Sequence, residues 1–126
     1  MTRKSENPLS RIKERDVMTD CKRLLRLLTS ARKLHYVRLN VTPMVIGTGR
    51  FKRYVPNPEM IGLPDILAWI KNGPCIAIEL KRPVGGKLSD GQKEFQQSLE
   101  YLGHPYHVVT SMKQLETILA SYGCCL

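Results

Sequence analysis

Residues 66–81 have the sequence ILAWIKNGPCIAIELK, in which two short apolar runs flank a turn. The runs 66–70 and 75–80 have the length and composition of buried strands. Asn72-Gly73, which lies between them, is typical of a β-hairpin turn. This stretch therefore predicts two antiparallel strands that pair directly with each other.

The second strand ends in Glu79-Leu80-Lys81. Because side chains alternate along a strand, Glu79 and Lys81 share one face, while the aliphatic residues take the other. We expect the charged pair to point out from one side of the sheet. A carboxylate at the end of an apolar strand, with an ammonium group two residues on, suits a divalent cation beside a positive charge.

Asp65, directly before the first strand, can join that face in only some registers. A strict two-residue turn at Asn72-Gly73 sets Asp65 opposite Leu80, on the wrong side. A three-residue loop through Pro74 sets it opposite Lys81 instead. A shared site therefore requires an odd-length loop or a bulge.

Apolar periodicity and capping residues predict the other elements. The predicted order is α-β-β-β-α-β-α, an α/β fold with a mixed β-sheet flanked by helices. The segment from Thr42 to Leu63 is interpreted as a long loop. The remaining elements are a helix from about Leu9 to Lys33 that starts at Asn7-Pro8, a strand over Leu34–Val41, a helix capped by Ser89 and followed by Gly103, a strand over Tyr106–Thr110, and a helix capped by Ser111 and ended by Gly123.

Two further polar residues fall among apolar helix positions. On a helical wheel that starts at Val17, Glu14 lies at about 60°, inside the apolar stripe of the first helix. A buried carboxylate needs a cation or a metal, although the helix dipole also favours an acidic residue at a helix start. Gln92 lines up with Phe95, Leu99 and Leu102, so its amide should face inward; a capping box with Ser89 explains it equally well.

Length, composition and charge limit the class of protein. The 126 residues are enough for one domain, spanning residues 1–126, and hold no apolar stretch that approaches the length of a membrane span. Residues 1–53 hold 14 of the 20 Lys and Arg but 4 of the 11 Asp and Glu, a net +10, whereas residues 54–126 sum to −1. This asymmetry favours a polyanionic partner such as nucleic acid, with a solvated basic face as the alternative.

The cysteines and the N-terminus indicate the compartment. The four cysteines form no CxxC pair and are interpreted as free thiols. The N-terminal residues lack the apolar core of a secretory signal. We expect a protein that is not secreted, and that is cytoplasmic, or nuclear in a eukaryote.

Gly62-Leu63-Pro64-Asp65, then Glu79-Leu80-Lys81, then Gln92, resembles the PD-(D/E)XK nuclease superfamily and is most similar to its VRR-NUC branch. Glu14 followed by Val17 is similar to the opening helix of that branch. The likeness spans roughly residues 10–120 and implies a restriction-endonuclease-like fold. It weakens over Thr42–Glu59, whose basic residues are not carried over as catalytic.

The resemblance implies a set of roles. Asp65 and Glu79 would ligate one or two Mg²⁺ or Mn²⁺ ions, with the Leu80 carbonyl as an extra ligand. Glu14 would complete the shell or orient a metal-bound water. Lys81 would position the nucleophile or stabilise negative charge, and Gln92 would hydrogen-bond a water or a phosphate.

The resemblance also implies a substrate and partners. It points to an endonuclease that hydrolyses DNA phosphodiester bonds, selective for branched DNA such as Holliday junctions, acting as a homodimer, with a helicase or a replication or repair protein as a candidate partner. We expect a group of basic residues to contact the DNA backbone. They are Arg11, Lys13, Arg15, Lys22, Arg23, Arg26, Arg38, Arg50, Lys52 and Arg53.

Two rival functions fit parts of the sequence. A non-catalytic nucleic-acid-binding module would keep the basic face without hydrolysis. A metal-independent ribonuclease of the splicing-endonuclease type would use Tyr106, His107 and Lys81 as acid and base. The second rival leaves Glu14 and Asp65 without a task.

Overall fold

A four-stranded mixed sheet organises the chain in the computed structural model, which describes residues 7–39, 44–55 and 57–126. Three helices flank this sheet, and a separate two-stranded ribbon precedes its central hairpin. In chain order the elements are α1 (Glu14–Ser30), β1 (Leu34–Arg38), β2 (Met44–Ile46), β3 (Arg53–Val55), β4 (Ile66–Ile70), β5 (Cys75–Leu80), α2 (Asp90–Tyr101), β6 (Tyr106–Val109) and α3 (Met112–Ser121).

The strand order is β1-β4-β5-β6. β4 pairs antiparallel with both β1 and β5, whereas β5 and β6 are parallel because α2 crosses between them. The predicted mixed α/β sheet and the bounds of its two central strands are confirmed. The predicted α/β order also holds, apart from the additional ribbon strands.

The register of the central hairpin differs from the predicted one. Its loop is Lys71–Gly73, in which Asn72 has φ +57°, and the Ile70 amide donates to the Pro74 carbonyl. Ile66 pairs with Ile78 in this register. The expectation of an odd-length loop is therefore correct, but its placement through Pro74, with Asp65 opposite Lys81, is wrong.

The core lies on one face of the sheet. α1 contributes Val17, Cys21, Leu24, Leu25 and Leu28, which are the apolar stripe that the sequence predicted. α3 packs against α1 and β6, and its Leu115 and Leu119 belong to the same apolar cluster as the aliphatic residues of β4 and β5. Burial of this continuous apolar surface is the main source of stability for the fold.

The opposite face is covered only in part, by α2. None of the twelve residues of this fully described helix is buried, and Leu102 just beyond it is exposed. Gln92, Phe95 and Leu99 are nevertheless among the half-buried residues of α2, so the inward-facing side predicted from their spacing is confirmed for these three and is wrong only for Leu102. On the same sheet face, the Trp69 side chain is 46% exposed.

Three predicted boundaries move. Asn7-Pro8 starts a 3₁₀ turn over Pro8–Arg11, and α1 begins only at Glu14. β1 ends at Arg38, and the part of its predicted extension that covers residues 40–41 lies outside the described residues. The segment interpreted as a loop contains the β2–β3 ribbon and two further 3₁₀ turns.

All four cysteines are free thiols, as predicted. No helix in the described part of the chain is long and apolar enough to cross a membrane.

Candidate metal centre

Three carboxylates from three separate elements meet at one end of the central hairpin. Glu14 opens α1, Asp65 directly precedes β4, and Glu79 is the penultimate residue of β5. One carboxylate oxygen from each lies within 4.8 Å of the other two. This donor set consists of hard oxygen ligands, which suit Mg²⁺, Mn²⁺ or Ca²⁺.

The observed register brings Asp65 beside Glu79. Ile66 pairs with Ile78, so Asp65 lies one residue beyond the last paired position, on the side of Glu79. The Leu80 amide donates to Asp65 Oδ2 at 2.8 Å, and the Leu39 amide donates to the Asp65 carbonyl at 2.7 Å. The first bond fixes the carboxylate, and the second fixes the Asp65 backbone at the start of β4. The contact at Leu80 is made through its N–H; the role expected of its carbonyl stays a prediction.

Glu79 is the most constrained group of the site. Its side chain is buried, with 1% of the residue exposed, so the prediction that it points outward is wrong. The Gln92 amide nitrogen donates to its Oε1 at 2.7 Å, and Lys81 Nζ lies 3.6 Å from the same oxygen. Its other oxygen, Oε2, is buried and has no hydrogen-bond partner among the described residues.

Burial and the neighbouring Asp65 carboxylate raise the pKa of Glu79 to about 8, against the smaller opposing effect of Lys81. A carboxyl group with this pKa is largely protonated at neutral pH without a metal. A divalent cation at Oε2 would favour its ionised form. The orphaned oxygen and the raised pKa therefore both fit a site for a cation.

Gln92 performs both of the tasks that the sequence left as alternatives. Its Oε1 accepts from the Ser89 amide at 2.9 Å, which closes the capping box of α2. Its amide nitrogen points the other way and donates to Glu79. The same side chain therefore starts the helix and holds the carboxylate.

Glu14 contributes to the site from the surface. The residue is exposed, so its predicted place on the buried stripe is wrong. It begins α1 one residue after Lys13, whose amide donates to Asp16 Oδ2 at 2.9 Å and so fixes the helix start. Glu14 reaches Asp65 and Glu79 because it is the first residue of α1, not because it is buried.

A contact between two glycines holds Asp65 and Gln92 together, and the sequence analysis missed it. Gly62 has φ +80°, and a Cβ on it would overlap the carbonyl oxygen of Gly91. The segment before β4 can therefore lie directly on the N-terminus of α2. A glycine three residues before Asp65 and another adjacent to Gln92 were the only signals in the sequence.

Two open basic grooves share Glu14 as a lining residue, and Asp65 lines the first of them. The first, about 480 Å³, is also lined by the predicted basic residues Arg15, Lys22, Arg26 and Arg38. The second, about 770 Å³, holds Arg11 and Lys13 together with Lys81. It also holds Arg82 and Lys87, which the sequence analysis missed although they directly follow Lys81 and the Gly85-Gly86 pair.

The other predicted basic residues lie elsewhere. Arg50, Lys52 and Arg53 belong to the ribbon and its connecting segment. Arg23 is exposed on α1 and lines neither groove.

Tyr106, His107 and Lys81 do not form the acid–base site that the ribonuclease alternative requires. Tyr106 and His107 are adjacent on β6 and therefore face opposite sides of the sheet. His107 Nε2 lies 2.7 Å from the Tyr122 hydroxyl, and burial lowers the pKa of this imidazole. The Tyr106 hydroxyl is buried, and burial together with Glu79 raises its pKa, which makes it a poor proton carrier at neutral pH.

Comparison of the chain with protein-family models, curated proteins and solved structures gives no match. The chemistry and geometry of the site are therefore the basis of the functional argument that follows.

Proposed function

We propose that this protein is a metal-dependent endonuclease that hydrolyses DNA phosphodiester bonds on a restriction-endonuclease-like core. The observation that supports this most directly is the carboxylate cluster, in which Glu79 Oε2 is buried and has no partner among the described residues. Ionisation of a buried carboxyl group without a partner is costly, and three clustered carboxylates repel one another unless a cation joins them.

Glu14, Asp65 and Glu79 would hold Mg²⁺ or Mn²⁺. When bound, the cation would act as a Lewis acid on the phosphodiester and lower the pKa of an attacking water. The protein limits the freedom of the ligands, because Leu80 fixes Asp65 and Gln92 fixes Glu79. Such supporting hydrogen bonds orient metal ligands before the metal arrives.

Lys81 is the natural partner for the negative charge of the reaction. Its Nζ lies 3.6 Å from Glu79 Oε1, and Lys81 lines the second groove, so this side chain contacts the carboxylate site and borders a groove that a strand would follow. There its ammonium group would position the attacking water or stabilise charge on the phosphoryl oxygens.

The grooves support cleavage within a strand rather than at its end. Each groove carries cations, and Glu14 lines both grooves, with Asp65 in the first and Lys81 in the second. A strand that crosses this point would have its phosphates neutralised on both sides of the reacting bond. Arg26 and Arg38 would hold one flank, and Arg82 and Lys87 the other.

Selectivity for branched DNA and a homodimeric assembly are part of the same proposal, as is a helicase or repair protein as partner. They rest on the resemblance of the motif residues to the VRR-NUC branch. The incompletely covered sheet face around Trp69 gives the homodimer a place to form.

The test is cleavage of a labelled four-way junction, a flap and a linear duplex, each with Mg²⁺, Mn²⁺ or EDTA. We expect metal-dependent cleavage, and we expect the Asp65→Asn variant to lose at least about 100-fold in rate. The amide still offers an oxygen to the Leu80 amide, so the fold should survive. Glu94→Gln is the matched control, because it likewise replaces a carboxylate by an amide, but at an exposed position of α2. It should retain full activity.

Two results would reject the proposal. Tight DNA binding without hydrolysis under any metal condition, unchanged in Asp65→Asn, would indicate a non-catalytic binding module. Cleavage of RNA in excess EDTA would indicate the metal-independent ribonuclease.

A further inference from the structure

The ribbon formed by β2, β3 and the segment between them projects two aromatic rings into solvent. Phe51 is 76% exposed and Tyr54 is 65% exposed. β2 and β3 are short, and Tyr54 pairs with Val45, which is itself exposed. A group of exposed aromatic and aliphatic side chains on one small ribbon is typical of a binding surface.

A cation accompanies each ring. The Arg50 guanidinium carbon lies 5.3 Å from the centre of the Phe51 ring, and Lys52 Nζ lies 5.5 Å from the centre of the Tyr54 ring. A cation on one face of an aromatic ring leaves the other face available for stacking. Two such pairs therefore offer flat apolar faces with positive charge directly beside them.

The backbone of the ribbon is shaped to present Phe51. Gly47 has φ +86°, and a Cβ there would lie 2.6 Å from the Phe51 carbonyl oxygen. Only glycine fits this turn without displacing the segment that carries Phe51. The turn therefore fixes where the ring is displayed.

The charge of the surrounding chain identifies the occupant. Between Asp20 and Glu59 the sequence holds no acidic residue, and Arg53 adds a third cation beside Lys52. A ligand with flat π-faces joined by negative charges complements this surface. An unpaired nucleic-acid strand has both properties, since its bases stack on aromatic rings while Lys and Arg neutralise its phosphates.

We propose that the ribbon Met44–Val55 binds unpaired bases of a nucleic-acid strand by stacking them on Phe51 and Tyr54, with Arg50 and Lys52 on the adjacent phosphates. This deepens the proposed function, on which it rests for the identity of the ligand. It assigns Phe51 and Tyr54 to recognition of single-stranded parts of the substrate. A branch point or a flap supplies such parts, whereas an uninterrupted duplex does not.

The test uses the full chain in EDTA, so that binding is measured without any cleavage. A Phe51→Trp substitution in a Trp69→Phe background places the sole tryptophan on the ribbon. We expect an oligothymidine of roughly 12 nucleotides to quench its fluorescence, because stacked bases quench indole emission. An abasic strand of equal length and charge should bind weakly and leave the fluorescence nearly unchanged.

Alanine variants give a second measurement. Phe51→Ala and Tyr54→Ala should each weaken oligothymidine binding by about 5- to 100-fold, with little effect on a blunt duplex. Tyr101→Ala is the matched control, since Tyr101 is 92% exposed but lies in α2, and it should bind normally. Running oligouridine beside oligothymidine shows whether the strand is DNA or RNA.

Several results would overturn the inference. Equal binding of abasic and normal strands would show that only phosphates are contacted. Loss of binding to anionic phospholipid vesicles in Phe51→Ala, with oligonucleotide binding unchanged, would assign the ribbon to a membrane. Loss of self-association in that variant, again with normal oligonucleotide binding, would assign it to a second copy. If stacking is observed but no metal-dependent cleavage, the nuclease proposal fails and this inference stands.

Discussion

Glu79 connects the stability of the fold to the chemistry of the site. Its carboxyl group is buried, one oxygen has no partner among the described residues, and its pKa is raised to about 8. In the unfolded chain the same group ionises near 4.5. Between these two pH values the folded state therefore holds a proton that the unfolded state releases, and its stability falls as the pH rises.

This sign gives a prediction for the Glu79→Gln variant. Gln cannot ionise, so the metal-free variant should gain stability relative to the parent as the pH rises from 4.5 towards 8, by on the order of 1–3 kcal/mol. Thermal unfolding across this range measures the difference. Added Mn²⁺ should raise the melting temperature of the parent but not that of the variant. Parallel pH curves for the two proteins would contradict the raised pKa.

The two bonds of the Gln92 side chain can be separated by mutation. Gln92→Ala removes both the contact to Glu79 and the cap of α2, whereas Ser89→Ala weakens the cap and keeps the contact. Both should cost about 1 kcal/mol of stability. Only Gln92→Ala should also weaken Mn²⁺ binding, by about 10- to 100-fold, because it removes the hydrogen bond that orients the Glu79 carboxylate.

Isothermal titration with Mn²⁺ distinguishes the two variants. Gln96→Ala, one turn further along α2, removes an exposed bond to Glu100 and is expected to change neither quantity. Equal metal affinity in Gln92→Ala and Ser89→Ala would show that Gln92 is only a helix cap.

At the scale of elements, the site depends on how closely the segment before β4 approaches α2. Gly62→Ala should force these two pieces apart, because the new Cβ would overlap the Gly91 carbonyl oxygen. Since Asp65 follows that segment and Gln92 starts that helix, we expect loss of at least about 10-fold in Mn²⁺ affinity.

Gly103→Ala is the matched control for this prediction. Gly103 has φ +88°, so alanine there meets a similar backbone penalty of about 1 kcal/mol, but a Cβ would contact nothing within 4 Å. It should lower stability and leave Mn²⁺ binding intact. A similar loss of metal affinity in both variants would mean that general destabilisation, not the glycine contact, is responsible.

The elements also show what local sequence determines. β4 and β5 have their predicted bounds because strong turn residues interrupt two apolar runs. The register predicted for the two strands was wrong because Pro74 was counted as a loop residue. Proline lacks an N–H, but its carbonyl still accepts from the Ile70 amide, so the pairing extends to Pro74.

Glu14 and the ribbon show the limits of periodicity. A helical wheel assigns Glu14 to the apolar stripe, but it cannot show that the packed part of α1 starts only at Val17. β2 and β3 have three residues each, which is too short for an alternation to be recognised. The three carboxylates were nevertheless identified, because motif order and spacing are properties of the sequence alone.

At the scale of the whole molecule, the positive charge is concentrated in the N-terminal part. Its cations line both grooves, and Lys81, Arg82 and Lys87 add to the second. These cations attract phosphates and repel free metal ions. A bound strand neutralises them, so we expect metal and nucleic acid each to strengthen the binding of the other.

The sheet face that α2 leaves uncovered gives the last prediction. Trp69 and Val37 are exposed there, on the side opposite the α1–α3 core. In the proposed homodimer a second copy would bury this face, and a lysine at its centre would introduce an unpaired charge. We therefore expect Trp69→Lys to shift the protein from dimer to monomer in sedimentation equilibrium, weakening association by at least about 10-fold.

Leu126→Lys is the control for this prediction, because it makes the same kind of change at an exposed apolar residue near α1 and α3. This variant should remain dimeric. A parent protein with the mass of one chain at every concentration would refute the homodimer, and the proposed nuclease would then have to act on branched DNA as single chains.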